Sequence, residues 1–141
     1  LTKAYNEVVF SHRENIEFIS GDITELLSSR RFENSIFFHM RTMTFLPKAF
    51  NEKLYSMVKD AGFRYIVGFE PIGVSRETYK AYQFSYDDQQ SVAYRQHAFI
   101  HNYPHLLKSN DFNVVDSSLI KTGHSHEDYR ILKLISVRQS N

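Results

Sequence analysis

The feature that most constrains this chain is the stretch 35–69. It holds an apolar run, Ser35-Ile-Phe-Phe-His-Met40, then an amphipathic segment opened by Pro47 and stopped by Gly62, then a second β-type run from Phe63 to Phe69. A run apolar on both faces suits a strand of a parallel sheet, because crossover helices cover both faces of such a sheet. Between the runs, Ala49, Phe50, Leu54, Met57, Val58 and Ala61 recur at helical spacing. Proline is tolerated in a first helical turn, and glycine readily takes the left-handed conformation that ends a helix. Strand, helix and strand in this order imply a right-handed crossover between parallel strands. The expectation is an α/β fold with residues 35–40 as a central strand.

The flanking segments extend this pattern. Leu1, Ala4, Tyr5, Val8 and Val9 place a helix over Thr2 to His12. Ile16 to Ser20 reads as a strand stopped by Gly21-Asp22, and Thr24 to Arg31 as a short helix. Beyond Pro71 the period loosens through Asp88, and Gln89 to Leu107 regains a helical look. Asn113 to Ile120 and Tyr129 to Val137 are two strand-like runs, joined by a connection too short for a parallel crossover and suited to an antiparallel hairpin. The whole reads as a partial doubly wound α/β sheet of parallel strands closed by an antiparallel C-terminal hairpin, in one domain over residues 1–141.

Composition narrows the chemistry. Seventeen basic and 16 acidic residues give a formal charge of +1, so no global field favours nucleic acid or an anionic membrane, and Arg30-Arg31 is too small a cluster to do so alone. The chain has no cysteine, which removes disulfides, thiolate nucleophiles and cysteine-ligated zinc, and leans the expected compartment toward the cytoplasm. No apolar run approaches the ~20 residues of a membrane span. The chain opens at Leu1, without a start methionine, in what reads as mid-helix, so the natural start is expected upstream.

At the strand ends the local sequences resemble those of the Rossmann-like class I methyltransferases that use S-adenosylmethionine. Asn15-Ile-Glu-Phe-Ile-Ser-Gly-Asp22 is similar to that family's third strand and acidic turn, 35–47 to its fourth strand and following loop, and Ala61-Gly-Phe63 through Glu70-Pro71 to its fifth unit. The terminal hairpin corresponds to the sixth and seventh strands, the last inserted antiparallel. The resemblance implies a C-terminal part of such an enzyme, with S-adenosylmethionine as cofactor and a small-molecule or carbohydrate-type acceptor. It gives Asp22 the adenine amino group, Ile23 a backbone amide to the adenine ring, and His39, Met40, Arg41 and Thr42 the wall where the methionine portion meets the target atom. An acidic group at the carboxyl edge of a parallel strand does lie where open α/β sheets bind ligands. The five glycines, at 21, 62, 68, 73 and 123, form no Gly-x-Gly loop of the kind that approaches a cofactor closely. That loop would fall before Leu1. A degenerate, non-catalytic scaffold domain of the same fold is the competing reading.

Other residues admit more than one role. His39 on a buried strand reads as a hydrogen-bonded core histidine or as a ligand contact, and Arg41 as a solvated loop charge or an anion contact. Asp22 after Gly21 is also ordinary turn chemistry. His97 and His101 are four apart, on one face if the helix persists, but no His-Glu-x-x-His pattern accompanies them, so no metal site is expected. With Tyr103 they are candidates for the substrate side, one histidine as general base. In the resembling fold the first strand lies beside the fourth, so its absence would bare the edge and faces of residues 35–40. A homo-oligomer or a missing N-terminal segment is the expected remedy.

Overall fold

A computed structural model describes residues 17, 19–73, 91–94, 98–121 and 130–139. Its elements run α1 (Ile23–Ser29), β1 (Ile36–Met40), a 3-10 turn (Met43–Phe45), α2 (Lys48–Asp60), β2 (Tyr65–Gly73), β3 (Ser91–Tyr94), β4 (Ala98–His101), α3 (Tyr103–Lys108), β5 (Phe112–Lys121) and β6 (Arg130–Arg138). Four strands form one sheet in the order β1-β2-β6-β5, and β3 and β4 form a separate hairpin. β1 and β2 are parallel, whereas β6 runs antiparallel to both β2 and β5. The fold class is α/β, with parallel and antiparallel strands in one sheet, as the alternation of patterns implied.

The crossover between β1 and β2 is built as its sequence suggests. Pro47 precedes the first turn of α2, and Asn51, Leu54, Tyr55 and Val58 form its buried stripe. Gly62, at φ 98°, ends it. The Gly62 amide donates to the Lys59 carbonyl at 3.0 Å and that of Phe63 to the Val58 carbonyl at 3.3 Å, the paired closure of a Schellman cap. The core lies between α2, α3 and one face of the sheet, where Tyr55, Val58, Ile66, Ile72, Tyr103, Leu107, Phe112 and Leu134 are completely buried. At about 25 cal/mol per Å² of apolar area, such side chains supply most of the favourable free energy of folding.

Three expectations need correction. Residues 89–107 are not one helix: Ser91 pairs with His101 and Tyr94 with Ala98 in an antiparallel hairpin, and a helix begins only at Tyr103. Asn102 caps that helix by accepting from the His105 amide at 3.1 Å, with Pro104 in its first turn. Alternating β-type residues in Ser91-Val-Ala-Tyr94 and Ala98-Phe-Ile-His101 outweighed the helical spacing. Nor do Glu17, Ile19 and Ser20 belong to a strand, since none of them joins a ladder among the described residues. Lastly, residues 36–40 form the edge, not the centre, of the described sheet. Ile36, Phe38 and Met40 are exposed on one face of β1, while Phe37 and His39 point to the helix-covered face. The expected opening helix and the connection 122–128 lie outside the described residues.

Candidate functional site

At the carboxyl ends of β1 and β2 a polar cluster sits inside the apolar core. His39 faces Gly68 across the parallel pair, and its ring fills the space that a side chain at 68 would take. A Cβ at position 68 would fall 2.5 Å from His39 Cε1, so only glycine admits the imidazole there. His39 Nδ1 lies 2.8 Å from Glu70 Oε1, and the Tyr55 hydroxyl, on α2, lies 3.3 Å from Nε2. Burial, and then the Glu70 carboxylate, hold the Tyr55 phenol well above its ordinary pKa, so it stays neutral. The set is satisfied if Tyr55 donates to Nε2 and Nδ1–H donates to Glu70.

Glu70 is completely buried, and its carboxylate organises the loop after β1. Oε1 accepts from the amides of Thr42 at 3.1 Å and Met43 at 3.2 Å, and Oε2 from that of Thr44 at 3.2 Å. These amides open the 3-10 turn and have no partner within it. An isolated buried carboxylate costs several kcal/mol in lost hydration, and three amide donors with an imidazole offset that cost. The same loop is tied from two other sides. The Asn51 side-chain amide donates to the carbonyls of Met43 at 3.0 Å and Leu46 at 3.4 Å, and the Thr44 hydroxyl donates to the Phe99 carbonyl at 2.8 Å. His101 Nε2 lies 2.9 Å from the Leu46 carbonyl, which only accepts, so Nε2 carries the proton and the Ser91 hydroxyl, 2.6 Å away, donates to Nδ1. Burial pushes the His101 pKa down, against the pull of the Leu46 carbonyl.

The expected site residues fall into different settings. Asp22 is exposed and caps α1, its Oδ1 accepting from the Thr24 amide and hydroxyl, each at 2.7 Å. These bonds, the side-chain one first, lower its pKa. Ile23 is the first residue of α1. His39 is enclosed between Glu70, Tyr55 and Gly68, whereas Met40 is 56% exposed on the opposite face. Arg41 is exposed and left-handed, at φ 55°, and its amide donates to the Phe69 carbonyl at 2.9 Å. Thus Met40 and Arg41 line the carboxyl edge while His39 supports it from beneath. His101 is fully buried on β4 with both ring nitrogens engaged, and Tyr103 is fully buried at the start of α3. His97 lies outside the described residues.

Glu70, Tyr55, Gly68, Thr44 and Asn51 were not singled out by motif. One signal was present for Glu70: a carboxylate within an otherwise apolar β-type run is rarely buried without a dedicated set of partners. Among the described residues no helix is long and apolar enough to cross a membrane, and no three His, Asp or Glu side chains gather where they could share a metal ion.

No protein-family model matches the chain, and no curated protein is similar to it in sequence. Solved structures are similar to it in fold. Magnesium protoporphyrin IX methyltransferase (ChlM) from Synechocystis PCC 6803, solved with bound SAH, superposes with a TM-score of 0.60 at 13% identity, over 96% of this chain and 57% of that one. A SAM-dependent methyltransferase from Methanosarcina mazei gives 0.52 at 14% identity, over 82% of this chain and 65% of that one. The chain therefore spans less than two thirds of the length of either protein. The architecture, with β6 inserted antiparallel beside the parallel pair β1–β2, is that of a methyltransferase-like Rossmann-type fold.

Proposed function

We propose that this chain is the C-terminal portion of an S-adenosylmethionine-dependent methyltransferase that acts on a small-molecule or carbohydrate-type acceptor. The observation that carries the reading is the carboxyl edge of the parallel pair, where a loop fixed by Glu70 follows β1 in a sheet of methyltransferase order. Ligands of open α/β sheets bind at this edge. The residues present suit their part of the cofactor. Asp22 caps α1 through the Thr24 bonds to Oδ1 and its side chain is exposed at the start of the helix, which leaves its carboxylate open to the adenine amino group. Met40 and Arg41 would flank the methionine portion. Bound there, the cofactor supplies an electrophilic methyl group on sulfonium, and the protein's task is chiefly in-line positioning. In this reading His101 acts by fixing Leu46, and Glu70 by fixing Thr42 to Thr44.

Calorimetric titration with S-adenosylhomocysteine tests the proposal. The 141-residue chain alone is expected to bind weakly or not at all. A chain that also carries a glycine-rich loop upstream is expected to bind saturably, and less tightly after Asp22→Ala with the circular dichroism unchanged. Tight binding by the 141 residues alone, or indifference to Asp22→Ala, overturns the assignment. The scaffold reading is favoured by one observation, the exposed apolar face of edge strand β1, which a second copy or an upstream segment would cover. It predicts that the longer chain shows no cofactor isotherm.

A further inference from the structure

The opposite end of the sheet carries a second polar assembly with no part in the loop network. Residues 31–34 lead into β1, residues 60–64 lead into β2, and Arg138 and Gln139 close the antiparallel β6, so all of them meet at the amino ends of the parallel strands. They enclose an open basin of about 530 Å³ lined by Arg31, Arg64 and Arg138, with Asn34 and Gln139 as amide groups and Glu33 and Asp60 as the acidic members. Gly62 contributes no side chain to it, and a Cβ there would press on Glu33 Cγ at 3.3 Å.

Two of the three guanidinium groups are held by contacts that leave their charge unneutralised, and the third belongs to a residue fixed through its backbone. The Arg31 guanidinium donates to the carbonyl oxygen of Asp60, an uncharged acceptor. The Arg64 guanidinium lies 5.4 Å from the ring centroid of Tyr65, an attraction that restricts it without pairing it. The Arg138 amide donates to the Arg64 carbonyl at 2.9 Å, which fixes the spacing of the two backbones. Among the described residues no carboxylate lies within 4 Å of any of these guanidinium groups, Glu33 and Asp60 included. Arg30, next in sequence to Arg31, shows the contrast: it points away to Glu17 at 3.1 Å. Guanidinium forks match phosphate oxygens two at a time, and the three arginines outnumber the two acidic side chains of the lining, neither of which pairs with them.

We infer that this basin is a binding site for the dianionic phosphate group of a small phosphorylated molecule, separate from the carboxyl-edge site. Its volume exceeds that of a bare phosphate, which leaves room for the organic portion, and Asn34 and Gln139 offer that portion hydrogen bonds. Glu33 opposes any anion in the basin, since its carboxylate lowers the positive potential that the three arginines set up.

Titration of the protein with glycerol 3-phosphate and, separately, inorganic phosphate, at constant ionic strength, tests this. The expected result is one saturable monoester site per chain, weakened at least tenfold by Arg64→Gln or Arg138→Gln and unchanged by Arg30→Gln. Glu33→Gln is expected to tighten it. No saturable monoester binding, or an equal loss with Arg30→Gln, overturns the site, because the effect is then one of net charge. Binding of inorganic phosphate without the monoester overturns the organic ligand. Weaker binding after Glu33→Gln also overturns it, because Glu33 would then be a partner of the bound group and not a charge opposed to it. None of these variants touches the carboxyl edge, so failure here is separable from failure of the methyltransferase reading.

Discussion

The two faces of β1 are made by five consecutive residues and have opposite fates. Toward α2, Phe37 packs edge-on against Phe63, with ring centroids 5.6 Å apart, and His39 is locked between Gly68, Glu70 and Tyr55. Away from α2, Ile36, Phe38 and Met40 are 57%, 58% and 56% exposed, and the Phe38 ring is tilted against that of Phe69 at a centroid distance of 6.1 Å. The half-buried Val67, Ile135 and Val137 continue that open face across the sheet. An apolar period shows that both faces of a strand suit burial, but the cover on each face comes from a different part of the chain. The covered face is also where polar groups became useful, because only there is the dielectric low enough for one carboxylate to dictate the path of a loop.

The comparison breaks most sharply at Glu70. Replacing it with alanine leaves three amides and an imidazole unsatisfied in the core and is expected to lower stability by about 3–5 kcal/mol, the usual cost of removing one partner from a buried charged set. Glu70→Gln, which keeps an acceptor oxygen, is expected to lose less. Denaturant melts of both measure the order, and equal losses would mean that the charge, not the acceptor geometry, holds the loop.

A smaller effect is expected from His101. Its folded pKa lies below the unfolded value near 6.5, so the unfolded chain takes up the proton first as pH falls. The stability this group contributes is full above pH 6.5 and is lost as the pH drops through that value toward the lower folded pKa. Melting temperatures from pH 8 to 5 are expected to decline less in His101→Gln than in the parent. An identical slope in both would assign the decline to other groups.

The smallest effect belongs to the open face. Single changes of Ile36, Phe38 or Met40 to serine are expected to shift the stability of the 141-residue chain by no more than about 0.5 kcal/mol, as at other exposed positions. Sedimentation across a concentration series on the same variants reads self-association directly. A loss of 2 kcal/mol or more would show that this face is covered after all, and the contrast between the two faces would fall.

The parts readable in the sequence were those with a local physical cause. Residues 47–62 carry their own start, stripe and stop, and the two terminal strands declare themselves by length and by the shortness of their connection. The hairpin of β3 and β4 is hidden in the sequence by a helical look that runs over 89–107, while the Asn102-Tyr-Pro104 start signal within it is the stronger local evidence. At the candidate site, the positions at the strand ends followed from where parallel strands stop. The Glu70 cluster did not, because it joins residues 26 to 31 positions apart and no local pattern records such a pairing.

The triple anchorage of the loop after β1 bears on how this protein can change over evolutionary time. Glu70 from the sheet, Asn51 from the helix and His101 from the hairpin hold its backbone and buried side, while Arg41, Thr42 and Phe45 are exposed. The exposed side chains can therefore be exchanged without moving the frame beneath them. A new preference for a partner molecule is then most readily reached by substitution at 45, whereas any change at 51, 70 or 101 would put the whole rim at risk at once.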